Sequence, residues 1–247
     1  MRVAVLSDVH GVLPALEAVL AEPEVGAADL IVLTGDVAAG PMPVETVDLL
    51  VSLGERVAWL SGNADRELVE VAGGKVSPHP SSQWAAGRLR EDQVALLAGL
   101  PERQVLELGR LGETLFVHAT PRSDEEMILV DSSLERWGEV LAGESADTVV
   151  VGNTHMPFVR LADRVLVVNP GSVGMPYGRY GAHWALLDGE SGAVTLRCTP
   201  LDAREVGERL VAESGFEGIE EWVDEYVSNV YSDADALTAF AKAENRR

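Results

Sequence analysis

Apolar residues in this chain follow two rhythms. Short β-branched runs alternate with longer stretches in which apolar positions recur every three or four residues. The runs Arg2 to Leu6, Leu30 to Leu33 and Arg56 to Leu60 predict strands, and the spacing in Val12 to Leu20 and Val44 to Leu53 predicts helices between them. Pro14 falls in the first turn of the first helix, where proline is tolerated. Strand–helix alternation of this kind predicts a sheet covered by helices.

Residues 64–104 break the rhythm. Gly73-Gly74 and Ser77-Pro78-His79-Pro80-Ser81-Ser82 are followed by helical spacing from Gln83 to Leu97, which predicts a helical excursion with a mobile tip. Strands resume at Val105 to Leu108 and Glu113 to His118. A helix is predicted over Ser123 to Leu141. Strands follow at Thr148 to Val151, Phe158 to Leu161 and Arg164 to Val168, and residues 182–199 read as a hairpin of His183 to Leu187 and Val194 to Cys198. From Asp202 onward the chain is acidic and helical in pattern. Ser232-Asp233-Ala234-Asp235 resembles an N-cap with an acidic first turn. Trp222, Val223, Tyr226 and Val230 fall on one helical face, expected to pack on the body. The pattern therefore predicts a domain over 1–200, with its excursion at about 64–104, and a helical extension over 201–247 packed on the same domain.

Composition narrows the function. The 247 residues fit one large domain or two small ones, and 47% hydrophobic content supports a sizeable core. No apolar run is long enough to cross a bilayer. The N-terminal run carries Asp8 and His10, so it does not read as a signal peptide. A single cysteine, Cys198, excludes an intramolecular disulfide framework and suggests a reducing cytoplasm. The net charge of −21 argues against a broad nucleic-acid-binding face. It also means that a phosphorylated substrate would need bound cations to offset repulsion.

Several predicted strands end in polar groups: Asp8-Val9-His10, Gly35-Asp36, Gly62-Asn63, His118 and Gly152-Asn153-Thr154-His155. Any one of these is ordinarily a turn or cap residue. Five in order point to a shared metal site at the carboxyl ends of the strands, where open α/β sheets place ligands. Carboxylate, imidazole and amide oxygen together suit Mn²⁺, Fe²⁺ or Zn²⁺. Two cations sharing one carboxylate would sit about 3.5–4 Å apart and clamp a phosphoryl group.

These motifs resemble the calcineurin-like metallophosphoesterases: D-x-H as DVH (8–10), GD (35–36), GN-x-D as GNAD (62–65), a lone His in VHA (117–119), and GNTH (152–155) where the family has G-H-x-H. NPGSVG (169–174) and VHATPRSDEE (117–126) look similar to the small bacterial phosphodiesterase and diadenosine-tetraphosphatase-like branch. The resemblance covers most of residues 1–190. It implies an α+β fold, a four-layer α/β/β/α sandwich with two mixed β-sheets. It implies that Asp8, His10 and His155 hold a first divalent metal, that Asp36 bridges, and that Asn63, His118 and the residue at Asn153 hold a second. Asp36, Asn63 and His118 would act in catalysis. The implied cofactor is a pair of divalent ions, Mn²⁺ first, with Fe, Mg²⁺, Ni²⁺ and Zn²⁺ as alternatives. The implied activity is hydrolysis of phosphodiester, phosphomonoester or phosphoanhydride bonds by a metal-bound hydroxide, on a small phosphorylated substrate such as a nucleotide. Homo-oligomerisation is left open.

Two positions depart from the pattern. Ala64 stands where the family has a His that protonates the leaving oxygen or binds phosphate, and Asn153 stands where it has an imidazole. An amide is a weaker ligand, so the second metal is expected to bind more loosely. Asp65, Arg66 and His79 are candidates to replace the missing acid, with Asp65 also a helix-cap candidate and His79 also a surface candidate. Arg122 is a candidate phosphate contact, or else a partner of Asp124 or Glu125. Tyr177 and Tyr180 are candidates to line a base pocket. Asn169 and Ser172 belong to a turn. The alternative function is a metal-binding interaction scaffold, favoured by Ala64 and the acidic C-terminal helices and opposed by the intact ligand set.

Overall fold

Four consecutive side chains of the first strand are buried, yet they enter two different cores. In the computed structural model, which describes residues 1–244, Val3 and Val5 pack between two β-sheets while Ala4 and Leu6 pack against helices. A strand covered on both faces has no polar side to alternate with, so it reads as an unbroken apolar run. The first half of the chain forms β1 (Arg2–Leu6), α1 (Leu13–Leu20), α2 (Pro23–Gly26), β2 (Leu30–Leu33), α3 (Pro43–Ser52), β3 (Val57–Trp59), α4 (Asn63–Ala72), α5 (Pro80–Arg88), α6 (Glu91–Ala98), β4 (Arg103–Glu107) and β5 (Glu113–Val117). The second half adds α7 (Leu134–Val140), β6 (Thr148–Val150), β7 (Phe158–Ala162), β8 (Val165–Asn169), β9 (Ala182–Asp188), β10 (Ala193–Thr199), α8 (Ala203–Glu213), α9 (Ile219–Val223) and α10 (Asp233–Glu244).

One sheet has the order β10-β9-β1-β2-β3, parallel across β1, β2 and β3 and antiparallel across β9 and β10. The other has the order β4-β5-β6-β8-β7, parallel across β5, β6 and β8 and antiparallel at both edges. Phe116, Val150, Val168, Ala185 and Leu187 meet Val3 and Val5 between them. Leu16, Leu210 and Trp222 cover the outer face of the first sheet, and Trp137 and Val140 of α7 cover the second. The fold is thus the expected α+β sandwich of four layers with two mixed sheets.

The chain from α8 onward packs on this body through Val206, Leu210, Ile219, Trp222 and Val227, and α10 sets Ala236 beside Leu129 and Met156. Ser232 caps α10 by accepting from the Asp235 amide at 3.1 Å. The expected packing face is right at Trp222, Val223 and Tyr226 but not at Val230, whose place Val227 takes. A π-helical turn over Asp224–Ser228, closed by Asn229 N–H on the Asp224 carbonyl at 3.0 Å, shifts the register.

Two predicted helices are shorter in the structure. The stretch Gln83 to Leu97 is divided between α5 and α6, because Leu89 and Arg90 are extended and Gln93 accepts the Arg90 amide at 3.1 Å. The stretch Ser123 to Leu141 is helical only from Leu134. Its first part is held in turns by Ser123 Oγ, which accepts from the Glu125 and Glu126 amides, and by the Thr120–Ser123 bridge. Such local side-chain bonds compete with helix formation. Among the described residues no helix is long and apolar enough to cross a membrane.

Candidate active site

The loops that leave β1, β2, β3, β5 and β6 meet at one edge of the sandwich. They are laced together by backbone bonds, His10 N–H to the Asp36 carbonyl at 2.9 Å and Asp8 N–H to the Gly35 carbonyl at 3.1 Å. The laced loops hold unusual backbone. Asp8, His10, Asp36, Asn153 and His155 all have φ between +48° and +61°. Non-glycine residues there cost about 1–3 kcal/mol each, and such strain clusters at functional sites. Close approach fixes two glycines: a Cβ on Gly62 would lie 2.2 Å from Asp36 Oδ1, and one on Gly152 would lie 2.1 Å from Ser7 Oγ.

Each carboxylate is anchored by one oxygen and leaves the other free. Asp36 Oδ1 accepts the Ala64 amide at 2.8 Å, while Oδ2 lies 3.7 Å from His10 Nε2 and 3.5 Å from His118 Nε2. Asp8 Oδ2 accepts from Ser7 Oγ at 2.5 Å and the Asn153 amide at 3.2 Å. Its buried Oδ1 has no hydrogen-bond partner, although His155 Nε2 is 3.2 Å away. The three histidines are held alike. Nδ1 donates to a carbonyl in each: Ala39 for His10 at 3.2 Å, Thr34 for His118 at 2.7 Å and Met175 for His155 at 2.7 Å. A carbonyl only accepts, so Nδ1 carries a proton in each, and each ring turns Nε2 inward, where its lone pair is available once that nitrogen is unprotonated, the arrangement seen in metal-ligating histidines.

The Nε2 atoms of His10 and His155 face each other at 3.2 Å, and Asn63 Oδ1 lies 3.0 Å from His118 Nε2. Lone pairs set this close need a proton or a cation among them. Two groups, Asp8–His10–His155 and Asp8–Asp36–His118, bring their ligand atoms within 4.8 Å of one another. The donor set therefore fits divalent cations.

Titration follows the same geometry. Burial lowers His118, but Asp36 and Asp8 overcome it and push the ring up to about 10. Burial likewise opposes the ionisation of Asp36, yet His118 and His10 hold it well below the usual carboxylate range. His155 is raised by Asp8 against burial, whereas burial lowers His10. Asp65 is the cap it resembled, accepting the Gly62 amide at 3.1 Å, and it also accepts the Asp36 and Val37 amides at 2.7 and 2.9 Å. Burial and the nearby Asp36 push its carboxyl up to about 6. Its oxygens are committed to the loop that carries Asp36.

These groups open on a cavity of about 260 Å³ that His10, Asp36, Asn63, Asn153 and His155 line. Tyr177 stacks on His155 with centroids 5.6 Å apart, and Phe240 meets Tyr177 edge-on at 5.6 Å. Trp222 and Tyr226 complete an aromatic wall, and His79, Ser81 and Ser82 at the start of α5 form another. Among the described residues no arginine or lysine lines the cavity. Sequence reasoning missed the wall contributed by Trp222, Tyr226 and Phe240, since nothing local links the C-terminal helices to motifs far away in the chain.

Other candidates are placed elsewhere. Arg66 is bound to Asp124 at 2.8 Å and Glu125 at 2.6 Å, and Arg122 to Glu126 at 2.7 Å rather than to Asp124 or Glu125. Both line a separate cavity behind His118 and are not among the groups lining the metal-ligand pocket. Acid side chains of the turns over residues 120–126 capture them. His79 does line the pocket and is exposed. Asn153 directs its amide nitrogen to Met127 Sδ at 3.7 Å. Tyr177 lines the pocket, but Tyr180 packs into the core. Asn169 and Ser172 brace the turn: Asn169 Nδ2 donates to the Gly152 carbonyl and Thr154 Oγ1, and Ser172 Oγ to the Asp8 carbonyl.

The model of the calcineurin-like phosphoesterase superfamily domain matches residues 1–192. The chain belongs to that superfamily. Its members are hydrolases acting on ester bonds, and the ligand cluster above lies within the matched region. Phosphodiesterase YfcE of Escherichia coli is 25% identical over 201 residues, covering 77% of this chain and 89% of its own. The symmetrical bis(5'-nucleosyl)-tetraphosphatase of Klebsiella pneumoniae is 32% identical over 130 residues, about half of either chain (51% and 46%). Among solved structures, hypothetical protein PH1004 of Pyrococcus horikoshii superposes with a TM-score of 0.78 at 21% identity, over 93% of this chain and 99% of that one. That span extends beyond the superfamily domain, into the C-terminal helices.

Proposed function

We propose that this calcineurin-like phosphoesterase is a dinuclear, Mn²⁺-preferring phosphodiesterase for small organic phosphates. The observation that carries this is the free Asp36 Oδ2, poised between His10 and His118 at 3.7 and 3.5 Å, beside a cavity that no arginine or lysine of the described residues lines. Asp8, His10, Asp36 and His155 would hold one cation. Asp36, Asn63, His118 and Asn153 would hold the other, more loosely because two of its ligands are amides. Oxygen and imidazole donors without thiolate favour Mn²⁺. When bound, such cations supply Lewis acidity, offsetting phosphate charge and acidifying a water nucleophile.

The protein's own groups set the substrate. With no arginine or lysine of the described residues in the cavity and Glu67 on its wall, a singly charged diester is repelled less than a doubly charged monoester. The aromatic wall suits a flat organic group such as a nucleobase or aryl ring. Ala64 offers no proton, which favours substrates whose leaving group departs as a stable anion. A reducing compartment suits the half-buried Cys198, and we read the protein as cytoplasmic. The scaffold alternative is less well supported, because the C-terminal helices turn aromatic side chains into the cavity.

Hydrolysis of bis-p-nitrophenyl phosphate tests the proposal. Activity should need Mn²⁺, exceed that on p-nitrophenyl phosphate, and disappear in Asp36→Ala. Activity that survives chelation or that substitution would refute it.

A further inference from the structure

Breaking a phosphate ester leaves negative charge on the departing oxygen, and among the described residues the cavity has no arginine or lysine, and no imidazole at position 64, to receive it. The start of α5 enters the same cavity. Pro80 has no N–H, and the first backbone bond of this nine-residue helix runs from Gln83 N–H to the His79 carbonyl at 3.0 Å. His79 contributes no side-chain cap, so among the described residues the Ser81 and Ser82 amides have no acceptor. Ser82 is only 4% exposed, lines the cavity, and its hydroxyl has no hydrogen-bond partner among the described residues. The hydroxyl is not among the enclosed side-chain atoms left without a partner, so it is reached from the cavity and free to donate into it. The helix end adds roughly half a positive charge. Ala85 and Ala86 of α5 pack in one cluster with Ala64, so the small residue at 64 is part of what lets α5 come this close.

We propose that the first turn of α5 is an oxyanion site for the departing oxygen, formed by the Ser81 and Ser82 amides and the Ser82 hydroxyl; it rests on the phosphodiesterase reading. As water adds to phosphorus, the bond to the leaving oxygen breaks and its electron pair stays on that oxygen. The three donors hold the resulting anion, which takes its proton from solvent after release. Electrostatic stabilisation thus replaces proton donation. The ligand class is a phosphate ester whose leaving oxygen becomes an anion.

A series of phosphodiesters sharing one ester group, with leaving groups from p-nitrophenol to simple alcohols, tests this with Mn²⁺-loaded protein. Ser82→Ala should lower kcat/KM about 10-fold for the best leaving group and about 100-fold for the poorest. Ser82→Thr should restore most of it. A loss equal across the series, or none, overturns the proposal. Inorganic phosphate binding, read by calorimetry, gives a second measure: an affinity unchanged by Ser82→Ala also overturns it. If Asp36→Ala abolishes metal-dependent hydrolysis while Ser82→Ala leaves the series flat, the phosphodiesterase reading stands and the oxyanion site falls.

Discussion

Asn153 sits at the point where the proposed second cation site is weakest. Its backbone is held by Asp8 Oδ2 at 3.2 Å with φ at +61°, so the side chain is positioned whatever its chemistry. Asn153→His should therefore tighten the looser cation site by about 10-fold, read as a two-site calorimetric titration with Mn²⁺. No change in the weaker site would place Asn153 outside the ligand set. His118 gives a pH prediction. Its ring is raised to about 10 in the cation-free site, so at neutral pH a cation must displace its proton. Mn²⁺ affinity should rise with pH between about 6.5 and 10. The stability of cation-free protein should run the other way, since a raised pKa stabilises below the unfolded value and that gain is lost as pH climbs through about 10. Thermal melts with and without Mn²⁺ across that range would show opposite trends. At this scale the sequence was informative: the motif residues that meet at the edge are those at the predicted strand ends. Arg66 and Arg122 were not legible, because the acids that capture them are set by how the 120–126 turns fold.

At the scale of elements, strands were easier to read than helices. Doubly buried strands announce themselves as apolar runs, whereas the break between α5 and α6 depends on two extended residues, Leu89 and Arg90, neither of them proline or glycine. That break matters, because it helps set where the first turn of α5 ends up. The C-terminal α10 makes its own contribution through Phe240 on Tyr177, which in turn stacks on His155. Truncation before Ser232 should lower Tm by about 5–10 °C, as expected for losing 2–3 kcal/mol of packing in a chain of this size. It should also weaken discrimination in favour of aromatic esters, measured as the ratio of kcat/KM for phenyl and methyl diesters. An unchanged ratio would remove α10 from the specificity wall. In the inter-sheet layer, Phe116→Ala should cost about 3–5 kcal/mol in denaturant unfolding, because Phe116 is fully buried where both sheets meet.

The whole molecule carries a charge of −21, and among the described residues no arginine or lysine lines its metal-ligand cavity. Anionic substrates are repelled at long range, so added salt should raise kcat/KM by screening, opposite to an enzyme with a basic cleft. Steady-state rates from low to physiological ionic strength, at saturating Mn²⁺, check this; a monotonic fall would contradict it. What the sequence determined by itself was where the strands lie along the chain, the chemistry at their ends and the superfamily those motifs resemble, since burial on both faces and ligand type are written in local composition. Which polar groups meet, which arginines are neutralised, and how α5 and the C-terminal helices wall the cavity were decided only in the tertiary structure. Those contacts join positions far apart in the chain, and no local pattern encodes the distance between them.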